Sequence, residues 1–444
     1  MGTNMKINNP TNLMIKSPLL RIFILLLLIV TLTGCTNSGK EQLTSSVLPI
    51  SPAIDISAAT NSVNANSNSQ YDNIVPTVSP VITISPIEKP KAQVTILAVG
   101  DNLIHIQVIQ SGKKKDGTYN FDHLYSLVKE EISAADIAII NQETILGGDE
   151  FKYSGYPSFN SPTEIGDAIT NAGFDVVLHA TNHTIDKGLK AVENTFEYWK
   201  THPEITVLGI NESEEQREKT PIIEKNGIKI AMLNYTYSLN GYHVPKGMPY
   251  LVNMLDKKEM TKDIKKAKEL ADFVIVFPHW GTEYVYEATD MQKDLTEFFY
   301  DAGVDLVIGT HPHVLEPVEW IETQSDHRML VYYSLGNFMS YQREAPRMLG
   351  GMANITITKD EKGTYISDAG ITPLVTHYEN GPADFHYGIY KLKDYTNELA
   401  LVHGVSEIAK SGSITYQRTY DLAKQVLGSW LPKEELADQL PIQK

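Results

Sequence analysis

The sequence predicts an α/β fold with its sheets buried at the centre of the molecule. Three observations carry this. Short apolar runs recur from about residue 93, each closing in a polar or glycine-containing cluster. Several are followed by segments with the apolar spacing of a helix. From Gly350 the pattern turns β-rich.

The chain opens with a basic stretch (Lys6, Lys16, Arg21), the apolar run Ile22 to Val30, and Leu32-Thr33-Gly34-Cys35. Nine apolar residues fall well short of the ~20 that span a bilayer, so a secretory signal is favoured over a transmembrane helix. The Leu-Thr-Gly-Cys ending resembles the lipobox of bacterial lipoproteins. That resemblance implies a signal peptide at 1–34, cleavage before Cys35 and lipid on Cys35. The protein is then expected outside the cytoplasm, lipid-anchored to the cell membrane; stable anchoring needs more than one acyl chain, which lipoproteins carry. Cys35 is the single cysteine, so neither an internal disulfide nor a thiolate metal site is available.

Residues 35–92 are rich in Ser, Thr, Asn, Pro and Gln, as in Asn61-Ser62-Val63-Asn64. Such a stretch cannot bury enough apolar surface to offset its ordering entropy and reads as a disordered tether. Strands are then expected at Val94–Val99, Ile137–Ile140, Val176–Leu178, Val207–Ile210, Ile228–Leu233, Phe273–Phe277, Leu306–Ile308 and Leu330–Tyr333. Helices are expected at Phe121–Ser133, Pro162–Ala172, Lys190–Lys200, Lys257–Ala271 and Gln292–Ala302, two of them with glycine stops at Gly173 and Gly303. These fill a main domain at 93–345. In the extension at 346–444, Asn354–Thr358 alternates, Asp360-Glu361-Lys362-Gly363 marks a hairpin, and Tyr365–Val375 returns. Helical segments near Asn397–Lys410 and Thr415–Leu427 close the chain.

The formal net charge of -16 argues against a nucleic-acid partner, which needs clustered Lys and Arg. The chemistry lies instead at the strand ends. Asp101 follows the first strand, Glu143 the second (Asn141-Gln142-Glu143), and Asn182, His183 and Asp186 the third. His279 follows Val274–Pro278, and His311 and His313 follow Leu306–Ile308. Open α/β sheets bind ligands at the carboxyl ends of their strands. One such histidine is more often structural; five strand ends delivering Asp, Glu, Asn and His are harder to explain that way. An oxygen and imidazole donor set suits two close divalent ions such as Mn, Fe or Zn.

Gly-Asp after strand one, Asn-x-Glu, Asn-His-x-x-Asp-x-Gly, His-Trp-Gly-x-Glu-Tyr, Gly-x-His-Pro-His-Val and Ser334-Leu335-Gly336-Asn337-Phe338 stand in the order of the CapA family, which the region Val94 to Phe338 resembles. That family belongs to the calcineurin-like metallophosphoesterase superfamily. The resemblance implies a sandwich of two mixed β-sheets flanked by helices, with the β-rich extension packed on the same domain. It implies Asp101 and His313 as ligands of one metal, Asn182, His279 and His311 of the second, and Glu143 as the bridge. It gives His183, with Asp186, the catalytic contact to the scissile group. Two motifs differ from the usual phosphoesterase: the nearest histidine to Asp101 is His105 rather than the second residue on, and Glu replaces the bridging Asp.

Glu283, Tyr284, Asn337 and Arg343 are candidates for substrate contact, the first two equally for packing; Arg343 and Arg347, in a loop just beyond, read by default as solvated surface, with meeting an anion as the alternative. His179 and His243 read as structural. The resemblance implies a part in poly-γ-glutamate or related envelope-polymer synthesis or export, by metal-dependent hydrolysis, beside synthase or export membrane proteins and on an anionic polymer. Two alternatives stay open: a general metallophosphoesterase, and a non-catalytic polymer-binding lipoprotein. The negative net charge opposes a polyanion at long range, so binding one requires local metals or arginines.

Overall fold

The computed structural model describes residues 91–323, 327–380 and 386–433. The expected signal peptide, Cys35 and nearly all of the expected tether lie outside them. Among the described residues no helix is long and apolar enough to cross a membrane.

The strands are β1 (Ala92–Asn102), β2 (Ile137–Asn141), β3 (Val176–Leu178), β4 (Thr206–Leu208), β5 (Ile222–Lys225), β6 (Ile228–Thr236), β7 (Phe273–His279), β8 (Leu306–Ile308), β9 (Val318–Glu322), β10 (Arg328–Tyr332), β11 (Asn337–Met339), β12 (Leu349–Asp360), β13 (Gly363–Glu379) and β14 (His386–Lys391). One sheet runs β14-β13-β12-β1-β2-β3-β4, with β11 beside the end of β1; the other runs β5-β6-β7-β8-β10-β9. Both are mixed. β1 to β4 are parallel and β12 to β14 antiparallel, while β6, β7, β8 and β10 are parallel with antiparallel β5 and β9 outside them.

The apolar runs of the second sheet face two ways, because successive side chains of a strand point to opposite faces. Ile228, Ile230 and Met232 of β6 and Phe273, Ile275 and Phe277 of β7 join the first sheet's residues in one core. Ala231, Leu233, Val274 and Val276 pack outward on helices Lys257–Leu270 and Asp290–Asp301, against Met260, Ile264, Leu295 and Phe299. Burial on both faces explains why these strands read as continuous apolar runs.

Several elements differ from expectation. The helix expected across Phe121–Ser133 is a turn, Asp122–Leu124, followed by a short helix, Lys129–Ala134. Tyr125, between them, accepts a hydrogen bond from Asn102 (2.8 Å) and stacks on Phe338, and these contacts outweigh continued helix. The segment Asn397–Lys410 splits into Asn397–Val402 and Val405–Ile408 where His403 takes the Val405 N–H and reaches the Thr376 carbonyl. β5, β9, β11 and β14 are not among the expected strands; β5 and β9 are half-exposed edge strands whose apolar residues are interrupted or followed by Glu and Lys. The C-terminal extension does more than pack on the domain. Its β12 pairs with β1 from Ala92 to Val99, so it continues the first sheet.

Candidate metal centre

The parallel strands β1, β2, β3, β7 and β8 deliver the predicted side chains to one edge of the two sheets. Close backbone approach makes this possible. A Cβ at Gly100 would lie 1.9 Å from the Gly336 carbonyl oxygen, to which Asp101 N–H donates at 2.8 Å. A Cβ at Gly309 would lie 2.0 Å from the Tyr333 oxygen and 2.4 Å from Trp280 Nε1. Trp280 is fully buried and its indole N–H donates to that same Tyr333 oxygen (2.9 Å), closing over the glycine. His311 (φ 100°) and His313 (φ 58°) both occupy left-handed backbone, a conformation costing ~1–2 kcal/mol per non-glycine residue. Such strain marks a loop whose side-chain directions matter more than its ease.

Asp101, Glu143, Asn182, His183, Asp186, His279, His311 and His313 are all buried. Asp101 accepts from Asn141 Nδ2 (2.9 Å), from the His311 N–H (3.1 Å) and from His313 Nδ1 (3.0 Å). With Nδ1 engaged there, His313 Nε2 turns to Glu143 Oε1 at 3.6 Å. His279 Nε2 lies 3.8 Å from the same oxygen and 2.9 Å from Asn182 Oδ1, and its Nδ1 meets Thr310 Oγ1 at 3.0 Å. The His311 ring stands 4.8 Å from that of His279 and 4.7 Å from that of Tyr237.

Glu143 is the decisive residue. Both its oxygens are buried and have no hydrogen-bond partner, and His311 Nδ1 is likewise unpartnered. Burial, together with Asp101, Glu283 and Asp186, pushes the Glu143 carboxyl well above its ordinary range, against the opposing pull of His313. For His313 burial works against the charged ring, but Glu143 and Asp101 outweigh it and raise it to about 9. Burial and the neighbouring histidines hold His279 and His311 well below the ordinary value, as neutral imidazoles. A carboxylate that neither water nor an N–H can reach demands a proton or a cation. One donor atom from each of Glu143, His311 and His313 lies within 4.8 Å of the others, so the residues present fit a divalent ion.

His183 Nδ1 meets Asp186 Oδ2 at 2.7 Å, an oxygen that also accepts the Phe159 N–H (2.7 Å); the Phe159 ring packs edge-on to His183 at 4.6 Å. The ring borders a cavity of about 460 Å³ that His313, Glu283, Tyr284, Arg343 and Arg347 also line. Asn337 adjoins the centre, in register with Asp101, but is not one of the residues lining that cavity. It is fully buried, and its amide donates to the carbonyls of His313 and Arg347 (both 3.1 Å), bracing the two loops. His179 accepts the Trp199 indole N–H (2.9 Å), and His243 is exposed.

Sequence reasoning missed Asn240, whose amide Oδ1 accepts from Asn182 and whose Nδ2 stands 3.3 Å from His183 Nδ1, and the Phe159 wall. Nothing in a Leu-Asn-Gly turn distinguishes it from any other. His105 does line the cavity, with Nδ1 between the Leu103 carbonyl and the Tyr341 N–H.

Two mixed sheets flanked by helices, with buried carboxylates and imidazoles collected at one edge, define an α/β protein with a candidate metal centre. Residues 95–342, more than half of the chain, match the family described as "Bacterial capsule synthesis protein PGA_cap". The chain belongs to that family. It is 30% identical over 250 residues to the PGA biosynthesis protein CapA of Bacillus subtilis (strain 168), covering 56% of this chain and 63% of that one. To the capsule biosynthesis protein CapA of Bacillus anthracis it is 27% identical over 266 residues, covering 58% and 62%. The match thus spans less than two thirds of either relative's length. Similar solved structures include the calcineurin-like phosphoesterase YfkN from Bacillus subtilis (TM-score 0.39, 14% identity, 76% of this chain and 97% of that one). Another is the NAD nucleotidase of Haemophilus influenzae (TM-score 0.42, 12% identity, 79% and 69%). Likeness at this level bears on neither the chemistry of the site nor its substrate.

Proposed function

We propose that this chain is a metal-dependent hydrolase of an anionic envelope polymer or its phosphorylated precursor, working in capsule-type polymer synthesis or export and anchored outside the cytoplasm by lipid on Cys35. The observation that carries it is the buried, unpartnered carboxylate of Glu143 facing His311 and His313. Asp101 and His313 would hold one ion and Asn182, His279 and His311 a second, with Glu143 shared between them. Bound Mn, Fe or Zn would supply Lewis acidity, lowering the pKa of a water and offsetting oxyanion charge.

The chain's own residues do the rest. Asp101 holds His313 by Nδ1, leaving Nε2 directed at Glu143. Asp186 holds His183 in the same way, so that Nε2 is the ring nitrogen left on the cavity wall to pass a proton to a leaving group. The Phe159 ring packs edge-on against His183, and the His183–Asp186 contact is buried.

Elemental analysis of wild type, His311→Ala and His313→Ala, purified with added Mn or Zn, tests the metal reading. The expected result is about two ions per wild-type chain and at least a tenfold loss of affinity in the variants. Hydrolysis of aryl phosphodiesters and of capsule-type polymer, lost in His183→Asn, tests the catalytic one. A wild type that takes up no metal, or variants that keep it, would refute the proposal.

A further inference from the structure

Apart from His183 and His313, the cavity that they line has a second chemical feature. Of the arginines among the described residues, Arg217 and Arg328 pair with Asp263 and Glu322, and Arg418 donates to the carbonyls of Ser411 and Ser413. The remaining two, Arg343 and Arg347, both line this cavity. In a chain with a net charge of -16, guanidiniums without a carboxylate partner are a notable concentration at one place.

Arg347 is built into position. Its guanidinium carbon sits 3.4 Å from the centroid of the Tyr284 ring, and Nη1 donates to the neutral Gln342 amide at 2.9 Å. Tyr284 itself is held in left-handed backbone (φ 67°) by its N–H to the Pro312 carbonyl (2.8 Å), inside the His311–His313 loop. The Arg347 carbonyl and the His313 carbonyl share one donor, the buried Asn337 amide. Stacking, a neutral hydrogen bond and two backbone ties thus fix the guanidinium beside the metal loop, with its other N–H groups available. Arg343 faces the same space from the exposed rim. A planar fork held in advance is the geometry that carboxylates and phosphates accept in bidentate fashion.

We propose that Arg343 and Arg347 form an oxyanion subsite beside the Glu143–His311–His313 cluster, which meets the cavity at His313, so that the cavity selects substrates with two anionic groups. One group would lie at the cluster, and a second carboxylate or phosphate at the arginines. A cavity of about 460 Å³ has room for a few linked anionic units. Glu283 also lines the cavity and carries no positive charge, so a second anion would be held by the arginines. The proposal rests on the hydrolase reading for what happens at the cluster, but not for the binding itself.

Titration calorimetry on the metal-loaded chain would compare three probes: inorganic phosphate, linear triphosphate and a glutamate tripeptide. Arg343→Gln, Arg347→Gln and the double variant are expected to weaken triphosphate, the tripeptide or both by ten- to a hundredfold, leaving phosphate within twofold and metal content unchanged. Loss confined to the tripeptide identifies a carboxylate subsite, and loss confined to triphosphate a phosphate one. Because Arg347→Gln also removes the Tyr284 stack, Arg343→Gln is the variant that separates charge from packing. The subsite is overturned if the double variant binds both larger probes as wild type does. It is equally overturned if phosphate weakens as much as triphosphate, or if wild type prefers neither larger probe to phosphate. Intact binding without any hydrolysis would count against the hydrolase reading and leave the subsite standing.

Discussion

Glu316 is a buried carboxyl outside the metal cluster, and its replacement by Gln makes a sharp test of the physical reading. It lies just beyond the His311–His313 loop, fully buried, with Oε2 accepting from Gln292 Nε2 at 2.5 Å and Oε1 without a partner. Gln292 cannot turn its oxygen toward Glu316, because that oxygen already accepts from the Thr289 N–H and hydroxyl at the helix cap. Burial therefore dominates, and it raises the carboxyl from 4.5 to about 8. A carboxyl that binds its proton more tightly folded than unfolded stabilises the fold fully below pH 4.5 and loses that contribution as pH rises towards 8. At ~1.4 kcal/mol per pH unit the loss over this window is about 5 kcal/mol. Glu316→Gln keeps the acceptor for Gln292 and leaves one buried amide unpartnered, a cost of about 1–3 kcal/mol at every pH. The variant should then be the less stable protein at pH 5 and the more stable at pH 8.5, with a crossover near pH ~6. Urea unfolding midpoints of both proteins from pH 5 to 8.5 would show this, and the histidines titrate alike in each. Parallel curves that never cross would mean that Glu316 is not protonated in the folded state, and the argument from burial would fail.

Two further outcomes follow from the close approaches and the chain start. Gly309→Ala places a Cβ 2.0 Å from the Tyr333 oxygen, and should cost at least about 2–3 kcal/mol in denaturant unfolding; a cost below 0.5 kcal/mol would show that the Trp280 closure yields freely. Fatty-acid labelling should mark wild type and not Cys35→Ser, and equal labelling would remove the lipid anchor from the proposal.

Much of the scaffold was legible because local pattern and tertiary burial agree. Val176–Leu178 and Leu306–Ile308 are strands with the bounds read from their apolar runs, and the helix expected over Gln292–Ala302 runs Asp290–Asp301, two residues earlier at its Thr289 cap. Where a tertiary contact competes with the local pattern, as at Tyr125 and His403, the sequence misleads about helix length. The metal-type side chains were also readable one strand at a time, since each follows a buried run.

What the chain alone determines, then, is which residues end which strands and that those ends carry oxygen and imidazole donors without a thiolate. Only the tertiary structure decides which of them meet. Glu143 and His313 are far apart in sequence, and their 3.6 Å approach exists because β2 and β8 belong to different sheets whose parallel strands finish at one edge. The same holds for Asn337. Its Ser-Leu-Gly-Asn motif places it beside the site, but it is buried where a Cβ at Gly350 would lie 2.1 Å from its carbonyl oxygen, and its amide turns to the carbonyls of His313 and Arg347. Arg347 is the clearest case. An arginine in a loop reads as solvated surface, and its position over Tyr284 depends on a backbone turn that the Pro312 carbonyl holds from another strand's end. Short-range pattern records what each segment buries; the partners of a buried donor are set by chain crossings that no local pattern encodes.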